Sequence, residues 1–171
     1  MVEKLVPKLV QNLIELYKQD VEDYGRLLEK MKSFHGFLEL GVEKKQNENL
    51  EKVLQEFCDF RNNCFQSLQQ RAQQAAKIKS HLTSETGPAF KIIGLKPYLT
   101  EESFLELVEL SEDLPQKMKQ VLELDKLIIP KLQRELETVK EELNRLQNAR
   151  KTKNIYRPKD LKEARFIDRI R

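Results

Sequence analysis

The sequence predicts an all-α protein: an elongated antiparallel helical bundle or coiled coil, built from two long N-terminal helices, a short helix and a long kinked C-terminal helix. Three observations carry this. Charged residues make up 35% of the chain and hydrophobic residues 39%, the balance of amphipathic helices with solvated faces. Five glycines and six prolines in 171 residues give too little turn punctuation for a compact sheet protein. Apolar residues recur at steps of three and four over long windows, which is the helical period.

The first helix is expected over about 6–39. Its stripe runs through Val6, Leu9, Val10, Leu13, Tyr17, Val21, Tyr24, Leu28, Met31 and Phe34. Pro7 suits a first turn, where its missing N–H has no intrahelical partner. Gly41 is a plausible C-terminal stop. The second helix is expected over about 47–82, capped by Asn47 or Asn49. Its stripe includes Leu50, Val53, Leu54, Phe57, Cys58, Phe60, Cys64, Phe65, Leu68, Ala72, Ala75 and Ile78.

The stretch "LTSETGPAFKIIGLKPYL" breaks the period at Gly87-Pro88, Gly94 and Pro97. It also carries Phe90, Ile92, Ile93, Leu95 and Leu99. Residues 83–100 therefore read either as a connection folded over the helices or as a mobile flap. Thr100 is an N-cap candidate, with Glu101 and Glu102 in the first turn, where the helix dipole favours negative charge. A short helix over about 101–111 follows. Pro115 marks a new start, and the last helix runs to about 152. Pro130 lies inside it and predicts a kink. From Leu132 the apolar steps are 4, 3, 4, 3 through Leu136, Val139, Leu143 and Leu146, a two-heptad seam that another helix can grip. The chain thus divides into a helical domain, 1–152, and a basic tail, 153–171. Nine Lys/Arg against three acidic residues give positions 150–171 a net charge of +6, and the remainder is −3.

Catalytic and metal chemistry finds no recognisable motif. His35 and His81 sit in neither a Glu-x-x-His nor a His-x-x-x-His spacing. No glycine-rich phosphate loop is present. Cys58 and Cys64 lie six residues apart, about 120° around a helix, and cannot bridge within it. They read as reduced thiols, Cys58 as a small apolar core residue. Carboxylates are matched by cations at helical spacing, as in Glu137–Lys140, Glu141–Arg145 and Glu142–Arg145. No apolar run approaches the roughly 18 residues of a membrane span. The opening "MVEKLVPKLVQ" lacks the apolar centre of a signal peptide. The expectation is a cytoplasmic, non-enzymatic protein with no cofactor, no metal and no small-molecule substrate.

The stretch from "FLELVELSEDLPQKMKQ" to "RLQNARKTKNIYRP", followed by "ARFIDRIR", resembles the flagellar type III export chaperones of the FlgN/FliT-like group. The likeness covers nearly the whole chain in layout and residues 150–171 in motif. Pro130 and the long apolar connection depart from that pattern. The resemblance implies binding of the amphipathic C-terminal segment of a flagellar hook-associated or filament-cap subunit. That segment would be held unassembled and passed to an export-apparatus component, without nucleotide. The client surface would be Leu132, Leu136, Val139, Leu143 and Leu146, by helix-in-groove recognition. The same five residues also fit ordinary bundle core. In the tail, Tyr156, Arg165, Phe166, Ile167, Arg169 and Ile170 form a candidate docking motif, against the alternatives of a solubilising end or a segment folded back on the body. Two rival functions stay open: a self-associating coiled-coil protein pairing through 132–146 as a homodimer, and an anionic-surface or nucleic-acid binder using the tail.

Overall fold

The computed structural model describes residues 2–40, 50–87 and 89–155. They form three α-helices, α1 (Val2–Leu38), α2 (Leu50–Thr86) and α3 (Glu101–Ile155), with a 3-10 helix, Ile92–Tyr98, before α3. No strand occurs among the described residues. The all-α class is therefore observed. Gly41, Asn47, Asn49 and Pro88 lie outside the described residues, as does the tail from Tyr156 onward.

The chain divides into two units, Met1–Ile129 and Pro130–Arg171. In the first, α1 buries one face: Val6, Val10, Leu13, Ile14, Leu27 and Met31 are wholly inaccessible. One core joins Val6 to Tyr17 of α1 with Ala75 and Leu82 of α2, Leu95 of the 3-10 helix and Leu107 of α3. At the other end of α1, Phe34 stacks on Phe57 of α2, with ring centroids 4.0 Å apart and planes 6° from parallel. The face that α2 turns inward steps by four and three through Phe57, Arg61, Cys64, Leu68, Arg71, Ala75, Ile78 and Leu82, all buried or half-buried. It differs from the predicted stripe. Cys58 and Ala72 are exposed, and two arginines occupy inward positions instead.

Each arginine finds an aspartate. Arg71 hydrogen-bonds Asp20 and Asp23 of α1, and Arg61 donates to Asp125 of α3 at 2.6 Å. A guanidinium on a long stem keeps its charge paired while its methylenes fill apolar space. Val21, expected in the α1 stripe, is only half-buried, whereas Asp20 is buried at 8% exposure.

The 83–100 stretch takes the first of its two expected forms. Leu95 is wholly buried, and Phe90, Ile92, Tyr98 and Leu99 pack on the same core. Lys79 Nζ lies 5.4 Å from the Tyr17 ring centroid and 5.5 Å from that of Phe90, tying α2 to both sides of the joint. α2 runs to Thr86 and stops at Gly87, whose φ of 136° disfavours a residue with a Cβ. Thr100 caps α3 as expected: the Ser103 backbone N–H donates to its Oγ1 at 3.3 Å.

Two boundaries are corrected. α1 begins at Val2, so Pro7 sits within it rather than opening it. The short helix and the restart at Pro115 are not seen; one helix continues from Glu101 to Ile155, through both Pro115 and Pro130. A proline removes one ladder bond at a cost of about 3 kcal/mol. Burial of Leu107 before Pro115, and of Val121 and Ile128 after it, offsets that loss. One turn before the Ser111 carbonyl that Pro115 leaves without its ladder donor, Ser111 Oγ donates to the Leu107 carbonyl at 2.6 Å.

Candidate functional site

The described part of the second unit is the C-terminal portion of α3, and its apolar residues define the candidate site. They lie on helical steps of four and three, so they share one face. Leu136, Val139, Leu143 and Leu146 expose 51–61% of their surface, and Leu132 is half-buried. Their neighbours in sequence are charged or polar, so the face is a narrow apolar strip on a solvated helix. Earlier in the same helix the contrast is sharp: Leu107, Val121 and Ile128 are almost wholly covered. Leu132, half-buried, differs from the other four in exposure.

The first unit has exposed apolar residues of its own on α3, namely Leu105, Met118, Leu122, Leu127 and Ile129. Apolar spacing alone does not separate these exposed positions from the covered Leu107, Val121 and Ile128. The proposed tail motif, Tyr156, Arg165, Phe166, Ile167, Arg169 and Ile170, lies outside the described residues.

Burial raises the Asp20 carboxyl above the usual aspartate range, against the opposing hydrogen bond from Arg71. Burial likewise raises the Cys64 thiol, with Asp23 adding to the shift, which leaves it further from the thiolate a nucleophile needs. Tyr24 is shifted upward by burial and by Asp20. His35 Nε2 lies 3.8 Å from Glu39, the first residue beyond α1. Among the described residues no three His, Cys, Asp or Glu side chains gather where a metal ion fits. No described helix is long and apolar enough to cross a membrane.

Comparison with family models, curated proteins and solved structures gave no match.

Proposed function

We propose that this chain is a non-enzymatic, cytoplasmic binding protein whose helices form a bundle. Its Leu132–Leu146 row takes up an amphipathic helix from another protein. The observation supporting this is the exposure of Leu136, Val139, Leu143 and Leu146 along one face. A row of half-exposed leucines on an otherwise charged helix is costly to leave in water and suits a second apolar helix. The resemblance of the ending "ARFIDRIR" to flagellar export chaperones names the guest: the C-terminal segment of a hook-associated or filament-cap subunit. The chain keeps that segment from assembling early and hands it to the export apparatus. Flanking charges set register and encounter rate.

The test is the double variant Leu136→Asp with Leu143→Asp, assayed for binding to the C-terminal segment of such a subunit by titration calorimetry. The expected result is loss of binding with an unchanged melting temperature. Retained binding overturns the assignment of the row. Binding of neither variant nor wild type to any flagellar subunit segment overturns the choice of guest.

A further inference from the structure

We propose that the 132–146 row also pairs with the same row of a second copy of this chain, parallel and in register. This goes beyond the export-chaperone reading and does not rest on it. Written as heptads, Leu136 and Leu143 occupy the a positions, and Leu132, Val139 and Leu146 occupy d. A repeat of 3.5 residues is the period that keeps a strip facing a second helix over successive turns.

The flanking charges select the occupant. On one side of the row, the g positions carry Glu135 and Glu142; on the other, the e positions carry Gln133, Lys140 and Gln147. In a parallel, in-register pair each g residue meets the e residue five positions further along the second helix. Glu135 then meets Lys140 of the second copy, and twofold symmetry makes the pair twice. Glu142 meets Gln147, and no like charges oppose. The antiparallel alternatives are worse. The two registers that stack four apolar layers set Glu135 against Glu142 twice, or Lys140 against Lys140 and Glu142 against Glu142. Like charges so placed repel.

The row spans 15 residues, about 22 Å of helix. Such a seam is small beside the roughly 800 Å² per partner of a stable interface. The pairing is therefore reversible and rises with protein concentration. It covers the same strip as a guest helix, so the two states exclude one another.

Sedimentation equilibrium of the full chain, from about 1 μM to about 1 mM, tests this. The wild type is expected to pass from monomer to dimer. Glu135→Lys and Lys140→Glu each turn both cross-pairs repulsive, and each is expected to raise the dissociation constant at least about fivefold. An equimolar mixture of the two variants restores both attractive pairs and is expected to regain dimer at the wild-type level. As a trap for the weak complex, Val139→Cys in a Cys58→Ser, Cys64→Ser background is expected to cross-link to itself on mild oxidation, because in-register d positions face each other within disulfide reach. A monomer at every concentration overturns the proposal. So does a mixture no better than its separate variants, or failure of the Val139→Cys cross-link. If the chain stays monomeric while Leu136→Asp with Leu143→Asp still abolishes guest binding, this inference falls and the proposed function stands.

Discussion

Arg71 of α2 reaches across to Asp20 of α1, giving it a charged hydrogen bond at a position that is otherwise core. The same guanidinium also holds Asp23 three residues on, so one cation serves two carboxylates. All three side chains are 12–14% exposed. Removing the cation leaves two largely buried negative charges facing each other. Arg71→Ala is therefore expected to destabilise the fold by about 3 kcal/mol. Urea unfolding followed by circular dichroism measures the loss.

Asp20 also gives the fold a pH dependence of defined sign. Its carboxyl is raised above the unfolded value, chiefly by burial. In the window between those values the folded chain binds more protons than the unfolded chain, so stability from this group falls as pH rises. Above the raised value its contribution is level. Melting temperatures of wild type and Asp20→Asn, compared from pH 3 to pH 7, check this. The variant is expected to gain on the wild type as pH increases, then run parallel to it.

Core and candidate site make opposite demands on truncation. Phe57 is 4% exposed and stacked on Phe34, whereas Leu143 is 53% exposed. Phe57→Ala is expected to cost about 3 kcal/mol or more, through lost burial and the cavity left behind. Leu143→Ala is expected to change stability by less than about 0.5 kcal/mol. Equal losses at both positions would return Leu143 to the core and remove it from the proposed binding row.

These contrasts also mark what was legible in the sequence. Long helices were legible because apolar steps of three and four persist across α1, α2 and α3, and Thr100 was legible as a cap from its own chemistry. The inward positions of Arg61, Arg71 and Asp20 were not, since a polar residue in an apolar stripe reads as a gap until its partner is in view. Those partners lie 48 to 64 residues away in the chain. A four-three count that admitted arginine would have found the inward face of α2. Pro115 misled for the opposite reason: local propensity favoured a break, and burial on both sides of it carried the helix through. The four-three apolar spacing of 132–146 was legible, but periodicity alone does not distinguish a covered strip from an open one.

The 3-10 helix between α2 and α3 separates two nearby apolar side chains by burial. Leu95 is wholly covered, and Ile93, two residues before it, is 67% exposed. Leu95→Ala is expected to cost about 2–5 kcal/mol, and Ile93→Ala close to nothing. Hydrogen exchange adds a local check. Leu95→Ala is expected to speed exchange at the amides of Gly94 and Leu99, which donate to Lys91 and Lys96. Unchanged exchange there would mean that Leu95 does not hold the segment against the core.

Pro115 offers a test in the stabilising direction. It sits inside α3, where its ring nitrogen gives no hydrogen to the Ser111 carbonyl one turn earlier. Pro115→Ala restores that donor and relieves the crowding of the preceding turn. It also frees the unfolded chain, which opposes part of the gain by about 1 kcal/mol. The net expectation is a stabilisation of about 1–2 kcal/mol, read as a higher urea midpoint at unchanged slope. Ser111→Ala removes the Oγ tie to Leu107. That loss is expected to be small and nearly equal with and without Pro115, because the hydroxyl bonds the Leu107 carbonyl and not the Ser111 carbonyl that the proline leaves without a donor. A double-mutant cycle on the two positions measures the coupling. Additive effects are expected; a coupling above about 0.5 kcal/mol would show that the hydroxyl and the proline act on the same turn.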